Sequence, residues 1–455
     1  MNVRTLTEGR PLPMILSLAM PLMLGNLFQQ LYTVVDAQIV GGVEGVGALA
    51  SIGVSDWFSF LFFSLIQGLA QGFTVPMAQA FGAGDHKYLR RCIGNAITLS
   101  ILLAVLLTAA AHLLITPVLV LLDTPAAIFP TAEGYLRVIF SALPILVAYN
   151  LMAGILRSLG DSRSPLWAMV VAAVANIGLD LLFVAVFGWG VLGAAFATAI
   201  AQALSCLYCM VRLFKVPFAR PHKKDLRLHR NTAIHLISLG IPIAGQNAII
   251  ALGGMLVQRI VNGMSVAFIA GYTATNKLYG VLETAAISYG YAVSTYAGQN
   301  LGARKLERIK KGVWQANWAG IVTAVLIAVI MFIGGEVFVG SFISGTPQEV
   351  KEATEMACEY LYLLSIWLPI LYILNNYRSA LQGLGCGFIP LLSGLVELVM
   401  RLGAVMVLPG IIGHSGLFWA EILAWAGGDA VLLPAYWWMI HKLRRELPVL
   451  EEMEV

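Results

Sequence analysis

The sequence predicts an all-α polytopic membrane protein, with 12 transmembrane helices in two six-helix lobes related by a pseudo-two-fold axis along the membrane normal. Composition is the first reason. Of 455 residues 59% are apolar and 11% charged, and the mean hydropathy is +0.82, outside the range of a soluble domain. Apolar runs of about 20 residues, the length that crosses a bilayer, are the second. The third is a repeat. Ala132, Tyr135-Leu136, Leu143-Pro144-Ile145-Leu146, Asn150, Leu156, Leu159-Gly160 and Pro165-Leu166 recur 225 positions later, without a gap, as Ala357, Tyr360-Leu361, Leu368-Pro369-Ile370-Leu371, Asn375, Leu381, Leu384-Gly385 and Pro390-Leu391.

The apolar runs cover 13–41, 50–80, 92–122, 132–157, 165–187 and 191–213, then 233–262, 267–297, 313–343, 354–384, 389–409 and 415–441. Six per half is an even number, so both copies enter the membrane the same way. A repeat of this size in an apolar chain marks a secondary transporter whose halves rock around a site between or inside them. The expected organisation is an N-terminal lobe (1–214), a basic cytoplasmic linker (215–231) and a C-terminal lobe (232–455). Span 1 matches span 7 at an offset of 221: Ser17-Leu18, Pro21, Asn26 and Gly42 against Ser238-Leu239, Pro242, Asn247 and Gly263. Pro21, Pro242, Pro144 and Pro369 are expected to bend their spans, because proline removes a backbone donor and crowds the preceding turn. Each bend is either a fixed kink or a moving hinge, and Pro21 is the candidate hinge.

Lys and Arg cluster in alternate loops, around Arg4 and Arg10, Lys87 to Arg91, Arg157 and Arg163, Arg212 to Arg230, Arg304 to Lys311, Arg378, and Lys442 to Arg445. Cationic loops stay in the cytoplasm, so a multi-pass protein of the cell (plasma) membrane with both termini cytoplasmic is expected. Trp437-Trp438 ahead of Lys442 reads as an interfacial anchor. The first run is too long for a signal peptide and is taken as a permanent span. The net charge of +4 follows from these loops and suits anionic lipid headgroups rather than nucleic acid. Five scattered cysteines predict no disulfide framework, and Cys206 and Cys209, inside an apolar run, are expected to pack. The seven histidines form no H-E-x-x-H or comparable cluster, which speaks against an enzyme.

Positions where the two copies differ carry the functional signal. Asp36 in span 1 corresponds to Val257, and Asp180 in span 5 to Val405. Asn176 lies four residues before Asp180, on the same helix face. Asp36, Asp180 and Thr198 are each about 5–7 residues from the outer end of their spans, a depth of roughly 8–10 Å at the helical rise. An acid at that depth is costly unless protonated, paired or bound to a cation. Two carboxyls with an amide and a hydroxyl offer oxygen ligands to Na⁺, and serve a proton carrier equally well. The alternative is that the two acids merely hydrogen-bond and tie helices together.

In the second half Arg401 occupies the position matching Asn176, Glu397 lies one turn before it, and Glu421 aligns with Thr198. These three are expected to form a structural ion pair or triad that locks spans 11 and 12. Glu283 is either a substrate-facing charge in the cavity or a charge near a helix end. Lys277 and Asp429 have the same two readings, and for them a charge near a helix end that reaches water is favoured over a substrate contact in the cavity. Tyr32, one turn before Asp36, either packs or stacks on a lipophilic cation.

Together these segments resemble the multidrug and toxic compound extrusion (MATE) family, in particular its DinF-like prokaryotic type. The likeness runs through the whole chain. It rests on the span 1 segment from Pro21 to Asp36 and Gly41, the loop Gln79-Ala-Phe-Gly-Ala-Gly84, its counterpart Gln299-Asn-Leu-Gly-Ala303, and Leu156-Arg-Ser-Leu-Gly-Asp161. The resemblance implies a V-shaped pair of lobes exporting amphipathic organic cations in exchange for inward H⁺ or Na⁺. It further implies that Asp36, Asn176, Asp180 and Thr198 form the cation site, with no cofactor beyond the coupling ion. Other branches place acids in helices 7 and 10. This chain has none in span 7 and only Glu359 near the start of span 10. The expected partners are small-molecule amphipathic cations and membrane lipids, and the expected state is a monomer. The alternative within the same superfamily is a flippase for an anionic lipid-linked precursor, which needs a cationic cavity to receive phosphates. Intramembrane bases are few: Arg259, Lys277 and Arg401.

Overall fold

The computed structural model describes residues 3–44, 46–122, 124–343 and 347–453. The first repeat comprises α1 (Pro11–Glu44), α2 (Val46–Gly82), α3 (His86–Leu121), the pair α4 (Phe129–Ser141) and α5 (Leu143–Ser158), α6 (Arg163–Asp180) and α7 (Gly190–Phe214). The second comprises α8 (Arg230–Val261), α9 (Val266–Gly302), α10 (Leu306–Gly340), α11 (Pro347–Gly383), α12 (Phe388–Val407) with the short α13 (Pro409–Ile412), and α14 (Ser415–Met453). Among the described residues ten helical spans are long and apolar enough to cross a membrane, and the α4–α5 pair, bent by 43°, makes an eleventh. The twelfth is α9, whose 37 residues suffice in length but include Thr273, Thr275, Asn276, Lys277 and Glu283. The bilayer-facing surface is aliphatic: Ile333 is 84% and Met406 80% exposed, which in a folded protein requires lipid as the solvent.

The prolines act unequally. At Pro144 the span breaks: the Ala142 N–H reaches both Val138 O (3.2 Å) and Ile139 O (3.1 Å), and the proline behind it cannot supply the next donor. Its repeat partner Pro369 lies inside an unbroken α11, where buried Leu368 and Leu371 hold the helix on course. Pro21 and Pro242 likewise lie inside continuous helices.

Two compact units result. One contains the residues up to Thr5 and Met20–Ala244, the other Leu6–Ala19 and Gly245–Val455. These limits differ from the expected lobes of 1–214 and 232–455. The start of α1 belongs with the second unit, and α8 as far as Ala244 with the first. Both changes of unit fall within two residues of a proline, Pro21 or Pro242. The reason is visible in the first unit, where small residues one turn apart on α2 meet small residues one turn apart on α8. A Cβ on Gly72 would lie 2.4 Å from Gly240 Cα, and one on Gly68 2.6 Å from Ala244 Cα. This is the small-xxx-small contact that lets membrane helices touch along their backbones.

The linker, for which the sequence offers no fold signal, is also held in the first unit. Asn95 on α3 accepts from His229 N (2.8 Å) and donates to Asp225 O and Arg227 O (both 3.1 Å). The second unit holds the segment leading into α1 in the same manner. Leu6 N donates to Gln299 Oε1 at 2.8 Å, and the Leu6 carbonyl accepts from Asn300 and Arg308. A fully engaged buried amide is costly to remove.

Replacing Gly72 by Ile forces α2 and α8 apart. We expect destabilisation of about 1–3 kcal/mol or more, read as a lowered thermal midpoint and reduced monodisperse yield in detergent, with Gly53→Ala, which meets nothing within 4 Å, as the control.

Candidate functional site

In the first unit α1, α6 and α7 bring together the side chains singled out in the first half. The Asp36 and Asp180 carboxyl groups are electrostatic neighbours, and Asn176 Nδ2 points to Thr198 Oγ1 at 3.5 Å. Asn176 and Asp180 are completely buried, at 0% exposure. Asp36 Oδ1, Asn176 Oδ1 and both Asp180 carboxyl oxygens are buried without a hydrogen-bond partner. Four buried acceptor oxygens of this cluster thus have no donor, and among the described residues neither acid is in an ion pair with a Lys or Arg. Buried acceptors in that state call for a proton or a cation.

The helices flank this cluster asymmetrically. One turn beyond Asp36 and Asp180, toward the C-terminal ends of α1 and α6, Val40 and Val184 pack with Val191 and Ala194 of α7 into an aliphatic plug. One turn in the other direction lies a cavity of about 40 Å³, lined by Gln29, Tyr32, Leu146, Tyr149, Met169, Ala172, Thr198, Ala201, Gln202 and Ser205. That volume admits a few waters; its lining surface is mostly apolar, with Gln29, Tyr32, Thr198 and Gln202 among the polar groups. Immediately after Asp180 the chain changes from α-helix to a π-helical turn, Leu181–Val186, a widening often found at functional positions. Tyr135, from α4, is within electrostatic reach of Asp36, Asp180 and Asp56. Sequence reading missed Tyr135, Tyr149 and Gln202, because a tyrosine or glutamine in an apolar run gives no signal of what it faces.

The second unit solves the same electrostatic problem differently. Arg401 Nη2 donates to Glu421 Oε2 at 2.7 Å, and Arg378 Nη2 donates to Glu397 Oε1. Two expectations are thereby corrected. Glu397 pairs with Arg378 and not with Arg401, and Arg378 is a buried member of the network, 7% exposed, rather than a loop charge. The reason is distance in the fold: Glu397 and Arg401 are neighbours on α12, but α11 presents Arg378 directly to Glu397. Missing side chains make the room. A Cβ on Gly428 would lie 3.0 Å from Glu397 Oε1, and one on Gly253 3.1 Å from Arg401 Nη1.

Asp429 is also corrected. It is not a helix-end charge in water but 8% exposed, within reach of Arg378 and Glu397. Glu283, half-buried on α9, lies within electrostatic reach of Tyr279, Glu421 and Arg401. Tyr32 lines the first unit's cavity, whereas Glu283 belongs to the second unit's charges. Lys277 is exposed, with Nζ 5.8 Å from the Phe342 ring centroid. Cys206 and Cys209 are free thiols, Cys209 buried in the core. Among the described residues no three His, Cys, Asp or Glu side chains converge on a metal site.

Two repeated bundles, the first with unpartnered acid oxygens at membrane depth, define the class, a duplicated transporter. The chain belongs to the MatE family, whose model matches residues 21–182 and again 242–404. It is 29% identical over 386 residues to the probable multidrug resistance protein YpnP of Bacillus subtilis, covering 84% of this chain and 85% of that one. It is 26% identical over 389 residues to DNA damage-inducible protein F of Escherichia coli, covering 81% and 79%. The fold matches a solved outward-facing multidrug resistance MATE family transporter of the MOP superfamily with a TM-score of 0.90 at 21% identity, covering 98% of this chain and 99% of that one.

Glu397→Gln leaves Arg378 buried without its counter-charge. We expect a loss of about 3–5 kcal/mol of stability, whereas Glu359→Gln, at an exposed pair with His414, stays within about 0.5 kcal/mol. Thermal unfolding in a single detergent compares them, and replacing Arg378 and Glu397 together by apolar residues is expected to cost less than the single change.

Proposed function

We propose that this chain is a secondary active antiporter of the cell membrane. It exports amphipathic organic cations or drugs in exchange for inward H⁺ or Na⁺ by alternating access. One observation carries the reading: four buried acceptor oxygens on Asp36, Asn176 and Asp180 with no donor. In this reading Asp36, Asn176, Asp180 and Thr198 bind the coupling ion and Tyr32 faces the substrate. The aliphatic plug of Val40, Val184, Val191 and Ala194 closes the extracellular side, while the cavity beside Tyr32 and Gln29 opens toward the cytoplasmic one. The ion, lying between the two carboxyls, offsets one of their two negative charges. A substrate cation entering beside Tyr32 competes for the same charge, and a ligand moves the equilibrium only through its differential affinity for the two states.

Pro21 is the proposed hinge. It lies one residue past the point where α1 changes unit, and the missing amide weakens the helix there. Both termini are placed in the cytoplasm by the cationic loops, and the chain is proposed to work as a monomer. A flippase for an anionic lipid precursor would require unpaired bases in a cavity. Arg378 and Arg401 are each paired with a glutamate, and the first unit's cavity is lined by none. These facts support the antiporter.

The deciding experiment is ethidium efflux from liposomes under a Na⁺ gradient alone and a pH gradient alone. One gradient is expected to drive efflux, and Asp36→Asn is expected to abolish it while the protein stays folded. Efflux insensitive to both gradients in wild type would retire the antiporter. Thr198→Val keeps the side-chain shape without the hydroxyl. Loss of one neutral ligand, worth about 1 kcal/mol, is expected to raise the ion concentration for half-maximal rate about fivefold, as read from initial rates across an ion titration.

A further inference from the structure

A band of polar side chains lies on the outside of the first unit, where the surrounding surface is aliphatic. Thr116 of α3 donates to Glu133 Oε1 at 3.1 Å, and Arg137 Nη2, one turn along α4 from Glu133, donates to the same oxygen at 2.7 Å. Both bonds use Oε1. Glu133 Oε2 therefore has no partner among the described residues, and neither have the other guanidinium donors of Arg137. One turn further on, Ser141 Oγ donates to Arg137 O at 2.7 Å and lies 3.3 Å from His112 Nε2. These are not loop residues. Arg137 comes eight residues after Phe129, the first of α4, which is about 12 Å along the helix. Its side chain is 53% exposed, and beside the band Leu113 and Val120 of α3 are 76% and 61% exposed. A charged pair displayed among aliphatic side chains at that depth is costly unless something polar in the bilayer meets it.

The break in the span makes room for such a group. Where α4 turns into α5 at 43°, the bend and α7 border an open groove of about 370 Å³, within the roughly 300–1,000 Å³ of a small-molecule site. Arg137 and Ser141 supply its polar groups, and Val138, Ile145, Phe196 and Ala199 its apolar wall. A ligand that satisfies this place brings an anion for Arg137, a cation with N–H donors for Glu133 Oε2, and hydrocarbon for the wall. We propose that the groove is a binding site for a bilayer phospholipid with a primary-amine headgroup, of the phosphatidylethanolamine type. Its phosphate accepts from the spare donors of Arg137, in the geometry that guanidinium and phosphate share, and its ammonium donates to Glu133 Oε2. One acyl chain lies along Ile145, Phe196 and Ala199. A choline headgroup has no N–H to donate, and a phosphatidylglycerol headgroup has no cation, so neither matches both members of the pair. With both termini in the cytoplasm, the end of α3 and the start of α4 are extracellular, and the lipid comes from the outer leaflet. The site does not depend on ion coupling.

The test is native mass spectrometry of the full chain, released from detergent containing equimolar phosphatidylethanolamine, phosphatidylcholine and phosphatidylglycerol with matched acyl chains. Wild type is expected to retain one phosphatidylethanolamine in preference to either of the others by about tenfold, the worth of one charge-assisted hydrogen bond. Glu133→Gln is expected to bring phosphatidylethanolamine down to the level of phosphatidylcholine, and Arg137→Gln to lower the retention of all three. Arg137→Lys, which keeps the charge without the fork, is expected to keep the preference at reduced occupancy. Ala199→Phe fills the groove without touching either charge. It is expected to lower phosphatidylethanolamine retention as well, and it decides the matter should a charge variant not fold, which thermal midpoints in the same detergent establish. Equal retention of the three lipids by wild type would overturn the proposal, as would a preference unaltered by Glu133→Gln and Ala199→Phe in folded protein. Preferential retention of phosphatidylglycerol, abolished by Arg137→Gln, would also overturn it and leave a simple anion site.

Discussion

Burial of carboxyl groups where water cannot reach them is the condition around which both units are organised. In hydrocarbon each unsatisfied polar group costs several kcal/mol, so an acid must have a proton, a cation or a base within reach. The first unit leaves Asp36 and Asp180 facing each other with orphan oxygens. The second unit, with valines at the two matching positions, carries its acids elsewhere and sets Arg378 and Arg401 against Glu397 and Glu421. One ancestral bundle therefore carries two answers to the same electrostatic demand.

The surrounding architecture follows from holding these groups in place while letting helices shift. The Asp36–Asp180 cluster is bounded by an aliphatic plug on one side and a small cavity on the other. The π-helical turn after Asp180 places a less regular backbone beside the charged groups. In the second unit the paired arginines are cradled by helices that lack side chains at Gly253 and Gly428. Stacked rings contributed by α9, α11 and α14, with Tyr360 4.6 Å from Phe418 and 5.1 Å from Tyr272, pack the same bundle. Aromatic contact of this kind fixes helix positions, although the buried Tyr360 hydroxyl has no hydrogen-bond partner.

The segments that enter each repeat are treated alike. Asn95 in the first unit, and Gln299 with Asn300 in the second, grip the backbone that leads into α8 and α1 respectively. A side-chain amide suits this task, because it can donate and accept at once along a chain with no regular structure. The gripped chain then changes unit beside Pro21 or Pro242.

Much of this was legible in the amino-acid order, and the limit has a physical basis. Apolar run length determined the spans, because bilayer thickness fixes how many residues cross. The gapless repeat determined the duplication, and loss of symmetry at Val257 and Val405 pointed to Asp36 and Asp180. Those signals are local or periodic, so one dimension contains them. Partner choice is not local. Glu397 lies four residues from Arg401, yet its contact is Arg378, 19 residues away. Arg378 read as a loop charge because its run was near its end, and Asp429 as a helix-end charge, because burial depends on which helices surround a position. The same holds for Tyr149 and Gln202 in the cavity and for the linker under Asn95. Sequence alone determined which residues the membrane would have to accommodate, and tertiary packing decided what each would meet there, since contact energies depend on distance in space and not along the chain.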